Sequence, residues 1–141
     1  MKKVLIDTNV ALDILLNRST FYANSAAVFV LAEKKIITGY VSTTSITDIF
    51  YITRKNLGKS NARNAIKHLL NVFYPATVTG SNIYKALELE WDDFEDSVQF
   101  AVGESLSVDY IVTRNTQDYS SGTIAAATPE QFLLKIADIE K

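Results

Sequence analysis

The chain has no cysteine, one histidine, one tryptophan and two prolines in 141 residues. Without cysteine, neither disulfides nor thiolate metal sites are available, which fits a reducing cytoplasm. The lone His68 disfavours a histidine-ligated zinc site and a Ser-His-Asp triad. Any metal should therefore be hard and oxygen-ligated, such as Mg²⁺ or Mn²⁺. No apolar run approaches the ~20 residues that span a bilayer, so no membrane association is expected. The N-terminus passes into an apolar run within three residues, leaving no room for a signal peptide.

What is present is ordinary for a globular protein: 48% apolar and 21% charged residues. A chain of this length reads as one domain over residues 1–141 and buries roughly 68–70% of its unfolded surface. The net charge of −2 does not mark a nucleic-acid binder, but the charge is unevenly spread. Arg54, Lys55, Lys59, Arg63 and Lys67 fall in one stretch without an acid, and Glu88, Glu90, Asp92, Asp93, Glu95 and Asp96 in another without a base. Such polarity suits a protein that draws in an anion with one patch and holds a cation with another. It equally suits two solvated helix faces of opposite sign.

Val4-Leu5-Ile6 reads as a strand buried on both faces of a parallel sheet. Asp7 interrupts it, and a helical pattern follows through Asn17, with Thr8 and Asn9 as candidate N-caps. Further strands are expected over 36–41, 76–79, 109–113 and 123–128. Helices are expected over 21–35, 46–57, 61–73, 81–89, 94–106 and 129–136, with Pro75 breaking the fourth pattern. Strands alternating with helices imply a parallel sheet covered on both faces.

In such a sheet the carboxyl ends of all strands share one rim, where ligands bind. Asp7 ends the first strand. Asp48 lies just into the helix behind Ser42 and Ser45. Asp96 opens the helix near Phe94, and Asp118 follows the strand ending at Thr113. Each alone reads equally as a helix cap or turn residue. Converging on one rim, they would repel one another unless a divalent cation is present. With Mg²⁺, such a cluster polarises a phosphoryl oxygen and generates hydroxide from bound water.

Val4-Leu5-Ile6-Asp7-Thr8-Asn9, Ser42-x-x-Ser45-x-x-Asp48, Asp93-Phe94-Glu95-Asp96-Ser97 and Val112-Thr113-Arg114-Asn115 with Asp118-Tyr119 together resemble a PIN domain. The likeness is closest to single-domain bacterial toxins of the VapC type and spans essentially the whole chain. It implies a three-layer α/β/α sandwich with a parallel five-stranded sheet. It also implies an endoribonuclease dependent on Mg²⁺ or Mn²⁺ that leaves a 3′-hydroxyl and a 5′-phosphate. Carried over by position, Asp7 and Asp96 are the central metal ligands and Asp48 is the second-motif acid. Thr8, Asn9, Ser45 and Thr113 would orient ligands or water. Asp48 departs from the family's commoner Glu by one methylene. The fourth position falls to Asp118 or to Asn115. A small antitoxin and a homodimer are further implications of the likeness.

Arg54, Lys55, Lys59 and Arg63 are candidate phosphate contacts, and Arg114 beside the proposed site is another. Trp91 and Tyr119 could stack on bases or pack in the core. Two rivals stand beside the nuclease. One is an inactive PIN-like RNA-binding scaffold. The other is an aspartyl-nucleophile phosphatase, which wants a second Asp where this chain has Asn9.

Overall fold

The computed structural model describes residues 1–140, with side chains through Ala137. Five parallel strands form one sheet: β1 (Lys2–Ile6), β2 (Ile37–Ser42), β3 (Tyr74–Ala76), β4 (Tyr110–Val112) and β5 (Ala125–Ala127), in the order β3-β2-β1-β4-β5. The helices are α1 (Thr8–Leu15), α2 (Tyr22–Glu33), α3 (Thr43–Leu57), α4 (Lys59–Leu70), α5 (Gly80–Leu89), α6 (Phe94–Leu106) and α7 (Pro129–Glu140). The expected parallel α/β sheet is thus present.

The alternation of β1 divides the core. Val4 and Ile6 point into one layer with Val10, Leu12, Phe29, Ile49, Leu69 and Phe132 from α1, α2, α3, α4 and α7. Leu5 points to the other face, against Phe100, Ile111 and Tyr119. There α5 and α6 pack on each other and bury Ala86, Val98 and Val102. Each such side chain taken fully from water contributes about 1.5–3 kcal/mol. The central strand is therefore apolar on both sides, as its run of Val-Leu-Ile requires.

Strand order sets the site. The chain winds from β1 outward through β2 to β3, then returns to place β4 on the opposite side of β1. Asp7 stands at this reversal, and its backbone N–H donates to the Val112 carbonyl at 2.9 Å. That crevice at the carboxyl ends is where open parallel sheets take ligands.

Several local expectations are corrected. Of the candidate caps, Asp7 rather than Thr8 or Asn9 caps α1: its carboxylate accepts from the Thr8 N–H at 2.8 Å, and α1 ends at Leu15 rather than near Arg18-Ser19. Pro75 lies inside β3 instead of ahead of it, because β3 is an edge strand and proline's missing N–H goes unused there. Helix α3 starts directly after β2, at Thr43, because the Ser42 hydroxyl accepts from the Ser45 N–H at 3.2 Å. Gly39 in β2 leaves room for the Phe73 ring, which a Cβ there would overlap.

Candidate active site

Four elements end or begin at one cleft of about 420 Å³, lined by Asp7, Thr8, Asn9, Asp48, Asp93, Glu95, Asp96, Asn115 and Asp118, with Tyr51 and Ile52. The four sequence-predicted acids therefore share one rim. Asp7 arrives on β1, Asp48 in the second turn of α3, Asp96 in the first turn of α6, and Asp118 in a single 3₁₀ turn (Thr116–Tyr119) after β4. Helix α6 follows no strand. It reaches the rim because it returns antiparallel from α5, and Asp93 caps its start by accepting from the Asp96 N–H at 3.1 Å.

Asp7 is fixed from both sides. Its Oδ1 accepts from the Thr8 N–H, and more distantly from Gln99 Nε2 at 3.4 Å. Its Oδ2 accepts from the Thr113 hydroxyl at 2.9 Å. The direction of that bond is set by Asn115, whose backbone N–H donates to Thr113 Oγ1 at 3.1 Å and leaves the hydroxyl proton for Asp7. Capping a helix and occupying the cleft are thus done by one carboxylate.

Asp96 has a different environment. Its Oδ1 accepts from the Tyr119 hydroxyl at 3.2 Å. Tyr119 is itself buried, and Trp91 packs edge-on against it and at a tilt against Phe100. Burial pushes the Asp96 carboxyl up to about 7, and the nearby charges of Asp93, Asp7 and Asp118 add to the shift. Glu95 is raised as well, by burial and then by Asp48, Asp93 and Asp7. Burial and the same carboxylates hold the Tyr119 hydroxyl far above the usual tyrosine range, so it stays a neutral donor.

These shifts have one physical origin. Negative charge is collected at a half-dry rim, and among the described residues no Lys, Arg or His lines the cleft to offset it. The donors are all oxygen, which suits a hard divalent cation. Among the described residues, however, no three acidic side chains already stand close enough together to hold an ion.

Thr8 and Ser45 meet hydroxyl to hydroxyl at 2.8 Å, and Gln99 Nε2 reaches Ser45 Oγ at 2.9 Å. Asn9 lines the cleft. Exposed Asn115 and Asp118 both line it too, so each is placed to serve at the fourth position. Arg114 is not brought in. Its guanidinium lies 3.4 Å from the buried Asp13 carboxylate and stacks over the Phe21 ring at 4.2 Å. Arg54 and Lys55 are exposed in the last turn of α3, and the Lys55 ammonium sits 4.7 Å from the Tyr51 ring at the mouth of the cleft. Lys59 and Arg63 are exposed along α4, while His68 stacks on Phe29.

Two contributors escaped sequence reasoning. Gln99 is buried on α6, one turn past Asp96, where its neighbours Val98, Ala101 and Val102 are apolar. A lone amide in that pattern was the available signal. Its Oε1 has no partner, a condition that costs about 1–3 kcal/mol for a buried acceptor. Tyr119 was weighed for stacking or the core. It is a core residue whose hydroxyl alone emerges at the site.

No curated protein sequence matches the chain. Solved structures match its fold. A VapBC2 complex from Rickettsia felis, bound to a promoter DNA fragment, aligns with a TM-score of 0.70 at 14% identity, covering 89% of this chain and 98% of that one. The sarcin–ricin-loop-cleaving toxin VapC20 of Mycobacterium tuberculosis gives 0.68 at 16% identity, over 84% and 95%. A toxin–antitoxin complex from Klebsiella pneumoniae gives 0.67 at 18%, over 89% and 97%. The family model for the PIN domain matches residues 3–117, most of the chain, which includes Asp7, Asp48 and Asp96 and stops just short of Asp118. By that match the chain belongs to the PIN domain family.

Proposed function

We propose that this chain is a divalent-metal-dependent endoribonuclease, a single catalytic domain over residues 1–141 working in the cytoplasm as the toxin of a toxin–antitoxin pair. The observation that carries the reading is the cleft at the strand-order reversal, lined by Asp7, Asp48, Asp96 and Asp118 with no basic side chain among its lining residues. The PIN domain match and the toxins of like fold support it.

Asp7 and Asp96 would hold Mg²⁺ or Mn²⁺, with Asp48 and Asp118 adding charge at greater reach. An ion held there supplies polarisation of a phosphoryl oxygen and an acidified water for in-line attack. The chain's own residues do the remaining work. Thr113 and the Thr8 N–H hold the Asp7 oxygens in place. Tyr119 pins one oxygen of Asp96, which lines the cleft. Asn9, Asn115 and Asp118 ring the opening. Arg54 and Lys55 extend from the same helix as Asp48, so a strand leaving the cleft along α3 meets two phosphate contacts that position it without reading sequence. A small antitoxin as partner follows the same reading, supported by the like-folded VapBC2 complex from Rickettsia felis and toxin–antitoxin complex from Klebsiella pneumoniae, and a homodimer is proposed with it.

One observation favours the scaffold alternative: the absence, among the described residues, of three acids already gathered on one point. Incubating purified protein with a mixed RNA pool in Mn²⁺, Mg²⁺ or EDTA separates the two. A nuclease cuts with metal and stops in EDTA and in Asp7→Asn. A scaffold binds RNA and leaves it intact.

A further inference from the structure

We infer that Gln99 is a positioning residue for this site, an amide kept at a cost to stability because it directs the protons around Asp7. The inference rests on the nuclease reading for its catalytic consequence only. Gln99 is 4% exposed, and its two polar atoms are treated very differently. Nε2 touches Asp7 Oδ1 and Ser45 Oγ, while Oε1 is buried with no partner. Rotating the amide by 180° would not relieve this. It would set a carbonyl oxygen against the Asp7 carboxylate, and two acceptors facing each other repel. The orientation is therefore fixed by Asp7, and the unpaired oxygen is the consequence.

That amide also fixes the hydroxyls beyond it. Nε2 can only donate, so Ser45 Oγ accepts and its own proton must go elsewhere. Ser45 is 3% exposed, and the Thr8 hydroxyl at 2.8 Å is its one side-chain neighbour able to take that proton. Were Thr8 the donor instead, the Ser45 proton would be buried without an acceptor. The arrangement without that orphan runs from Gln99 to Ser45 to Thr8. It leaves the Thr8 proton to point into the carboxylate cleft that Thr8 lines. A hydroxyl so directed meets an anionic phosphodiester oxygen as a donor, on a rim where carboxylate acceptors predominate.

The test compares wild type, Gln99→Met, Thr8→Val and Thr8→Ser by three readouts: melting temperature in EDTA, Mn²⁺ affinity by calorimetry, and RNA cleavage at saturating Mn²⁺. Met fills the same space without polar atoms. Gln99→Met is expected to melt at or above wild type, to bind Mn²⁺ about tenfold more weakly, and to cut RNA at least tenfold more slowly. Thr8→Val should keep the Mn²⁺ affinity and lose cleavage to a similar degree, with Thr8→Ser restoring it. The inference is overturned if Gln99→Met loses several degrees of melting temperature while Mn²⁺ affinity and cleavage stay at wild-type level, the pattern of a structural residue. It is also overturned by Thr8→Val cutting as fast as wild type. If wild type binds Mn²⁺ and cuts nothing, the nuclease reading fails, and the Mn²⁺ affinity and melting of Gln99→Met alone decide the positioning role. If wild type cuts RNA and binds no Mn²⁺, the positioning role is overturned, and the nuclease stands without the Mn²⁺ site.

Discussion

Asp96→Asn should make the protein more stable without metal, and only at high pH. The carboxyl's value is raised from 3.8 to about 7 on folding, by burial first and then by Asp93, Asp7 and Asp118. A raised carboxyl binds its proton more tightly when folded. Its penalty is therefore absent below the unfolded value, grows as pH rises, and is complete above about 7. At about 1.36 kcal/mol per unit the unscreened limit is about 4 kcal/mol. Asp96 is only partly buried and water screens its neighbours, which brings the expectation to about 1–2 kcal/mol. Asn keeps an oxygen for the Tyr119 hydroxyl and removes the charge. In EDTA at pH 8.5 the variant should melt roughly 3–7 °C above wild type for a chain of this size. The gap should narrow as the pH falls and be nearly gone by about pH 3. Added Mg²⁺ should stabilise wild type and do little for the variant. A variant that melts at or below wild type at pH 8.5, or a gap independent of pH, would refute the argument that repulsion and burial strain this carboxylate.

Asp13→Ala should leave the Arg114 and Arg18 guanidinia facing a buried void. A fully buried pair broken this way costs about 3–5 kcal/mol, and the partial exposure of both arginines lowers the expectation to about 2–3 kcal/mol, read by urea unfolding. Gly39→Ala should cost about 1–3 kcal/mol through overlap with the Phe73 ring, with RNA cleavage unaffected in the folded fraction. Arg54→Gln with Lys55→Gln should weaken RNA binding uniformly across sequences and flatten its dependence on log salt by about 0.7 per lost phosphate contact.

How much of this could be read from the chain depended on the range of the forces involved. β1 and the parallel sheet were legible because Val4-Leu5-Ile6 must be buried on both faces, and the strand–helix alternation leaves few other ways to do so. The shared rim of Asp7, Asp48 and Asp118 followed from the same rule, since each comes shortly after a strand. Asp96 was harder, because α6 follows α5 and its return to the rim is set by how those two helices pack. Pro75 misled because a residue's effect in a strand depends on whether its N–H faces a neighbour, which is a matter of strand order. Arg114 misled for a related reason. Its place beside Thr113 is local, but the buried Asp13 that claims it lies 101 positions earlier. Gln99 and the Tyr119 hydroxyl matter only through contacts with residues distant in sequence, Asp7 and Ser45 for the one and Asp96 for the other, and no local pattern reports those.

On the proposed reading, Asp7 and Asp96 together form a divalent-cation site. Crystals grown in Mn²⁺, with anomalous scattering recorded at the manganese edge, test it most directly. One strong peak is expected between these two carboxylates, lost in Asp96→Asn. Protein that cuts RNA in Mn²⁺ yet shows no peak in this cleft, or a peak away from both residues, would contradict it.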